Sequence, residues 1–453
     1  MNTKPSLFEK KAAPLIAFLL MCLLCTLPVF AQSSENDFSE GFSEKFDGSF
    51  ESEPAPASQS LQWKGQISTA LRGYLDFSQL ESSELQHHPV IGLDLSQEND
   101  NSETLLALNF DRRLIDEISG TVQDSTPRNI SWYLQRIIDQ AYIRLYYDRF
   151  NIQAGYLKEV WGTGDQAHVL DFLNPTDYYD FVNNNYLDRK TAELMLKLNI
   201  PTGARGLLEM AYAPTFTPDN YPVTGRWTPK EMAELTTLTG GSLPNLPEMN
   251  RLGDGQYALR LSAGLGSWDL AASYYFGFLR SPTVEFSPVP AITYDRLHAF
   301  GLDFMSVLAG FNLRGEAAYY LTEDFDGLDL FPHNNHSLRY LFGFDRDIGI
   351  SSINFNGQII GTYFLNEDTD PFETMLTVAL TDRLKNDRIK PEISLAYSIE
   401  QSDFMLRPKL VFQLVDDVEI ELLYTMFHGD EQGYFGQYRG ENFMQFRLTY
   451  LVL

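Results

Sequence analysis

The chain has 453 residues, a formal net charge of -27 and an aromatic content of 13%. An acidic chain is a poor partner for nucleic acid, because phosphates favour Lys and Arg, and the aromatic content argues against global disorder. The two cysteines, Cys22 and Cys25, lie close to the N-terminus. The rest of the chain therefore has no disulfides and no thiolate metal ligands.

Residues 1–31 have the pattern of a secretory signal peptide. Lysines precede an apolar run, and the small-residue pattern Val29-Phe30-Ala31 precedes Gln32. A lipoprotein signal at either cysteine is the alternative, but both lack the usual small residue before the cysteine. We therefore predict an exported chain that begins at Gln32.

Residues 32–60 form an acidic segment, rich in Ser, Glu and Phe, that we predict to be a periplasmic linker. Four phenylalanines recur every four residues: Phe38, Phe42, Phe46 and Phe50. A transient helix would align their rings as a docking motif for a periplasmic partner. The alternative is a disordered tail with incidental rings, which the intervening glycines and serines favour.

From Leu61 onward the chain repeats hairpins of alternating apolar and polar residues. In residues 139–157, for example, Ile143 and Leu145 fall on one face of a strand and Arg144 falls on the other. Asp148-Arg149 then forms a tight turn between two strands. Such short turns alternate with long polar segments, near residues 75–88, 113–137, 158–188, 214–254, 278–294, 321–335 and 428–440.

This alternation of short and long connections is typical of a transmembrane barrel with short periplasmic turns and long external loops. We predict an all-β fold: a single antiparallel up-and-down barrel over residues 61–453, with about 18 strands within a range of roughly 14 to 18. No segment after the signal peptide is apolar enough to span a bilayer as a helix. A soluble β-sandwich or a large secreted barrel is the alternative, but the strands of a sandwich would seldom keep one apolar face throughout.

The last predicted strand has an apolar face that runs to the end of the chain and includes Phe446 and Tyr450. It resembles the C-terminal assembly signal of bacterial outer-membrane barrels, although that signal usually ends in Phe or Trp and this chain ends in Leu453. The resemblance implies an assembly signal formed by these three residues, recognition by the outer-membrane barrel assembly machinery, and insertion into outer-membrane lipid.

A loop rich in aromatic and acidic residues follows the hairpin 139–157. It contains Lys158-x-x-Trp161-Gly162-x-Gly164-Asp165, and then Asp171-x-Leu173-Asn174-Pro175-x-Asp177-Tyr178. This segment resembles an early loop of porin-like families. The resemblance implies a channel and carries no particular substrate.

We predict that this loop folds inward and narrows the pore, because it combines apolar anchors with glycines and a bend at Asn174-Pro175. Its aspartates would then face arginines of neighbouring strands, including Arg144. A cap packed on the barrel rim is the alternative. The candidate constriction residues are Trp161, Asp165, Asp171, Asn174, Pro175, Asp177 and Tyr178.

The polar phase of the predicted strands carries both signs of charge in nearly equal number. Such a balanced lumen wall is suited to cross-strand ion pairs around water. The candidate wall residues are Arg144, Arg260, Arg314, Glu316 and Arg339.

Other constellations carry weaker signals. The paired histidines His87-His88 and the pair His333 and His336 lack the carboxylate or cysteine spacing of a metal site. Asp165, His168 and Asp171 could imitate a hydrolase site, but no nucleophile motif accompanies them. We therefore predict no enzyme activity, no metal and no cofactor.

A helix is predicted inside the long segment 214–254. Thr228-Pro229-Lys230-Glu231 has the form of a capping box with proline at the first helical position, and Gly240-Gly241 ends the helix. The helix would either cover the pore or pack within its own loop.

The predicted function is passive diffusion of small hydrophilic solutes through an outer-membrane porin-like channel. The alternative is a non-conducting barrel that acts as an adhesin or structural protein through its external loops. A membrane-embedded hydrolase is the third class.

Overall fold

The computed structural model describes most of the chain from residue 61 onward. The described residues are 61–74, 85–112, 114, 136–165, 167–182, 186–242, 244–286, 289–322, 336–349, 352–365 and 371–452. The predicted signal peptide and linker, His333 and Leu453 lie outside them. Among the described residues, no helix is both long and apolar enough to cross a bilayer.

Eighteen of the strands form one closed antiparallel ring. Each strand pairs with its neighbour in chain order, and β1 pairs with β20 to close the ring. The ring strands are β1 (Gln62–Tyr74), β2 (Leu85–Asn99), β3 (Ser102–Asp111), β4 (Ile138–Tyr147), β5 (Phe150–Leu157), β6 (Glu193–Pro201), β7 (Gly206–Ala213), β8 (Gln256–Leu265), β9 (Trp268–Phe278), β12 (Arg296–Leu308), β13 (Phe311–Thr322), β14 (Ser337–Asp347), β15 (Asn354–Phe364), β16 (Phe372–Thr381), β17 (Ile389–Ser398), β18 (Asp403–Val415), β19 (Val418–His428) and β20 (Phe443–Val452). The predicted all-β, antiparallel barrel of about 18 strands is therefore confirmed.

The side chains of the ring alternate between an apolar outer face and a polar inner face. On β20, Phe446 and Tyr450 are exposed on the outside, whereas Gln445 and Thr449 are buried on the inside. The outer apolar face continues across the β19–β20–β1 seam, where Leu422, Phe446 and Leu71 lie opposite one another. The alternation of side chains along the strands therefore places apolar residues outward on neighbouring strands.

Aromatic side chains gather at both ends of the outer face. Near one end, ring pairs with centroids 5.6 Å apart are Trp268–Phe304 and Phe344–Phe355. Near the other end, pairs 5.0 Å and 4.8 Å apart are Tyr212–Tyr257 and Tyr363–Phe372. Two aromatic girdles around an apolar band are the surface that membrane barrels present to lipid and its interfaces.

The connections at the two ends of the barrel differ in length. At one end, the turn end, they are short, and Ala309-Gly310 takes positive φ at both positions, as a two-residue hairpin turn needs. At the opposite end, the loop end, lie 158–192, 214–255, 279–295 and 429–442. The sequence did not predict the shorter connections 365–371 and 399–402 at this end, because the alternation near them is weak.

One predicted loop boundary was wrong. The histidines His87 and His88, assigned to a loop, lie in β2. Because they are adjacent in a strand, their side chains point to opposite faces: His87 lies 2.5 Å from the Thr69 hydroxyl, whereas His88 is opposite the inward Ala70.

Two further elements lie in the loops. The hairpin of β10 (Thr283–Phe286) and β11 (Pro290–Thr293) pairs separately from the ring. The helix α1 (Lys230–Leu238) buries Met232 and Leu235 against this hairpin. The predicted capping box is wrong: Pro229 is the N-cap and makes no side-chain cap, and the Gln437 side chain accepts a bond of 3.0 Å from the Lys230 amide instead.

Candidate pore constriction

The inner loop, residues 158–192, leaves the barrel wall at β5 and returns at β6. Asn174, of which 1% is exposed, clamps its base. The Asn174 side chain donates to the carbonyls of Leu157 at 2.7 Å and Thr191 at 2.9 Å, and accepts from the Glu159 amide at 2.7 Å. Thr191 also donates its amide to Pro175 at 2.9 Å. This clamp divides the loop into a first lobe, 158–173, and a second lobe, 175–190.

The first lobe is held by one carboxylate of the barrel wall. Glu316 on β13 accepts bonds of 2.7 Å from the amides of Thr163, Gly164 and Val169. It accepts a fourth from the Leu170 amide at 3.3 Å. The Glu316 side chain has 0% exposure, so it is an anchor of the loop rather than a hydrated wall charge.

The tip of the first lobe reaches further along the wall. Asp165 is paired with Arg314 of β13, and its other oxygen accepts bonds from Asn356 and, at 2.6 Å, from Gln358 of β15. Arg314 is also paired with Asp345. Because β5 and β15 lie far apart in the ring, the first lobe crosses a large part of the lumen.

Apolar packing fills the space between the first lobe and the wall. Trp161, Leu170 and Phe172 are buried in one cluster with the inward side chains of Tyr275 and Tyr320. The rings of Phe172 and Tyr275 stack at 5.4 Å. The cluster joins the lobe to the β8–β14 wall, so this side of the lumen is packed with protein.

The second lobe reaches the opposite part of the ring. Arg72 of β1 holds Asp180 with two bonds of 2.8 Å and 3.0 Å, and Arg407 of β18 donates to the Val182 carbonyl at 2.8 Å. Burial alone would raise the pKa of Asp180, but the Arg72 guanidinium outweighs that effect and the pKa is lowered. Asp180 is therefore ionised throughout the neutral range.

The remaining predicted loop residues bind within the second lobe and to its neighbours. Asp177 pairs with Arg136 at 2.8 Å, and the Tyr178 ring stacks on Tyr221 at 4.6 Å. Asp171 is buried and pairs with Lys190 of its own loop at 2.8 Å.

Burial, with the nearby Asp171 carboxylate, raises the pKa of Tyr186 well above its usual value. Tyr186 therefore remains a neutral hydrogen-bond donor to Asp171. Together with the Lys190 ion pair, this bond uses Asp171 to join the first lobe to the second, away from the arginines of the wall.

The wall residues predicted from sequence do not form one group. Arg144 pairs with Glu103 on the neighbouring strand at 2.8 Å, so the expectation that it faces the loop aspartates was wrong. Arg260 pairs with Asp303 at 3.0 Å in a buried part of the wall. Arg339 stacks on the Tyr320 ring at 3.8 Å.

A row of side chains runs along the wall between the ends of the two lobes. Asn356, Ala379, Ser394 and Arg407 lie directly opposite one another on β15, β16, β17 and β18. The first lobe binds the Asn356 end of the row through Asp165, and the second lobe binds the Arg407 end. The two residues between these ends, Ala379 and Ser394, are small and half-buried.

Sequence reasoning missed Arg72, Asn356, Gln358 and Arg280 as residues that hold the loop. Arg280 donates to the carbonyls of Phe172 and Leu173 at 3.2 Å and 2.6 Å. The inward phase of the strands indicated the barrel residues of this set, but not which part of the loop each would meet.

The three residues of the hydrolase hypothesis do not converge: Asp165 binds Arg314, His168 lies 3.2 Å from Glu316, and Asp171 binds Lys190.

A second loop covers the loop end of the lumen. The strap, residues 214–255, connects β7 to β8 and places Trp227 beside the β19–β20 hairpin on the opposite side of the ring. Trp227 packs against Phe427 at 5.8 Å and Phe443 at 6.1 Å, and meets Phe181 of the second lobe at 5.5 Å. Arg226 is paired with Glu441. Aromatic and ionic contacts together therefore hold the strap against the β19–β20 hairpin.

No protein-family model and no curated protein matches this chain. Among solved structures, the chain is similar to OccAB4 of Acinetobacter baumannii, with a TM-score of 0.49 and 11% identity over 88% of this chain and 100% of that chain. For OccK9 (OpdG) of Pseudomonas aeruginosa the TM-score is 0.47 and the identity 10%, over 87% of this chain and 97% of that chain. For OmpF of Salmonella typhi the TM-score is 0.42 and the identity 10%, over 86% of this chain and 97% of that chain. Similarity at this level assigns no function to the chain. The function is inferred below from the barrel itself.

Proposed function

We propose that the chain is an outer-membrane channel through which small hydrophilic solutes diffuse passively. The apolar outer band with its aromatic girdles suits a lipid bilayer, and the polar inner face suits water. The long connections would face the outside of the cell and the short turns the periplasm. The inner loop would be the constriction.

The row from Asn356 to Arg407 is the observation that carries this proposal. Its two ends are occupied by the two lobes, whereas Ala379 and Ser394 between them have small side chains. Three strand spacings separate the ends of the row, which is about 14 Å. We infer that solutes pass along this stretch of wall. They would cross a transverse electric field between the acidic Asp165 at one end of the row and the basic Arg407 at the other.

The proposal is tested by recording the refolded protein in a planar lipid bilayer, with Ala379→Trp as the blocking variant. An indole at this position fills the gap between the lobes, so we expect the single-channel conductance to fall at least about threefold, because the narrowest section controls the passage of ions. Leu380→Trp is the matched control, because Leu380 faces outward and is 37% exposed.

A wild-type barrel without any open state would contradict the channel and favour the non-conducting adhesin or structural protein. Equal conductance of the wild type and Ala379→Trp would leave the channel but place its passage elsewhere. A fall in conductance in both tryptophan variants would indicate a general folding effect.

A further inference from the structure

We propose that Glu316 is the positioning residue that sets the width of the constriction, by fixing the first lobe against β13. This inference rests on the proposed channel. Glu316 lies on the wall, does not line the inferred passage and touches no solute, so its effect would be transmitted through the loop.

The bonding of Glu316 is unusually complete for a wall carboxylate. Each oxygen accepts two backbone amides, from Thr163 and Gly164 on one side and from Val169 and Leu170 on the other. A carboxylate that accepts several backbone amides makes strong, charge-assisted bonds. The two amide pairs come from the two sides of the lobe, so a single side chain fastens both.

The loop is built to admit this carboxylate. Gly162 has φ of +107°, and a Cβ there would lie 2.5 Å from Glu316 Oε1. A Cβ on Gly164 would lie 2.1 Å from the Ala167 carbonyl oxygen. Glycine at both positions therefore lets the backbone close around the carboxylate.

The anchor and the passage are linked through the lobe. Asp165 follows the anchored Thr163-Gly164 segment directly and binds the Asn356 end of the wall row. Release of the amides from Glu316 would let the tip of the lobe move, and the section beside Ala379 would no longer have a fixed width.

Glu316→Gln tests the proposal, because glutamine keeps the size of the side chain but has only one accepting oxygen. One of the two amide pairs then faces an amide nitrogen that donates, so those two bonds are lost. The readout is chemical labelling of Thr163→Cys by a methanethiosulfonate reagent. Thr163 is 1% exposed, and the sequence has no cysteine after Cys25.

We expect Thr163→Cys to be labelled at least about tenfold faster when combined with Glu316→Gln, because the loss of even one of the two charge-assisted bonds corresponds to about that factor. Glu103→Gln is the matched control, because Glu103 is a wall carboxylate whose partner is Arg144 of the neighbouring strand and not the loop. The bilayer recording should show larger current fluctuations for Glu316→Gln only.

Gly162→Ala approaches the same contact from the loop, and provides a second test if Glu316→Gln fails to fold as a barrel. Its added methyl group should push the lobe off Glu316 and accelerate labelling to a similar degree. Unchanged labelling in both variants would overturn the proposal. Because labelling needs no conductance, faster labelling in a protein without open channels would support the anchor while refuting the channel.

Discussion

Ion pairs between the inner loop and the wall join residues far apart in sequence, such as Asp165 with Arg314 and Asp180 with Arg72. Composition and phase indicated that acidic loop residues and inward arginines exist. They could not indicate which residues meet, because each pair depends on the path of the loop across the lumen. The same reason explains why Arg144 was expected to bind the loop and instead binds its neighbour across the strands.

The Asp180–Arg72 pair predicts how acid affects the second lobe. Its carboxyl pKa is lower in the folded protein than in the unfolded chain, so the pair stabilises the fold at any pH above the unfolded value. That stabilisation is lost only as the pH falls through the depressed folded pKa, below about 4.

The measurement compares guanidinium unfolding of the wild type and Asp180→Asn in detergent at several pH values. We expect the wild type to be more stable by a constant margin between pH 5 and 8, and the margin to shrink below about pH 4. If the stability difference between the wild type and Asp180→Asn has already vanished at pH 5, Arg72 does not lower the pKa of Asp180.

At the scale of elements, the sequence predicted the ring strands better than their connections. Strands with a strict period of two, such as β4 and β5, were recognised because one face must be apolar and the other polar. β2, β3, β16 and β17 alternate less cleanly, since their inner faces include apolar residues such as Leu105 and Met375. The helix α1 was foreseen, but its start was misassigned because its cap comes from Gln437 of another loop.

The strap contact at Trp227 predicts a second restriction in series with the inner loop. Trp227 is 7% exposed and joins the strap to the opposite β19–β20 hairpin and to Phe181. Trp227→Ala removes a large buried ring, which typically costs about 3–5 kcal/mol locally. We expect the strap to detach from the hairpin while the ring of strands stays closed.

Solute uptake into liposomes measures this effect. The variant should admit larger uncharged sugars than the wild type does, with unchanged heat-modifiable migration of the barrel. Trp268→Ala is the matched control, because Trp268 lies on the outer face and packs on Phe304. An identical size limit in wild type and Trp227→Ala would show that the strap does not restrict entry.

At the scale of the whole molecule, each of the eighteen described ring strands pairs with a neighbour on both sides, and the outer face of the ring is apolar on successive strands. These two properties follow from the same alternation, because a shift of one residue in any strand would exchange its inner and outer faces. The phase of the last strand is therefore a property of the whole barrel, since β20 must match both β19 and β1.

The phase of β20 is tested by moving one negative charge between its two faces. Phe446→Asp places a carboxylate on the outer face beside Leu71 and Leu422, where lipid would surround it. A charge at the bilayer midplane costs up to about 2–4 kcal/mol for Arg or Lys, and less for Asp. Loss of the phenylalanine from the predicted assembly signal would add to this cost, so we expect a several-fold lower amount in the outer membrane.

Gln445→Asp is the matched control, because the same charge one residue earlier points inward. Gln445 accepts bonds from Arg72 at 3.1 Å and 3.0 Å, and an aspartate there would lie near the same guanidinium. We therefore expect Gln445→Asp to reach the outer membrane at nearly normal levels, measured by fractionation and heat-modifiable migration. Normal levels of both variants would mean that lipid does not surround Phe446, and the membrane orientation of this face would then have to be abandoned.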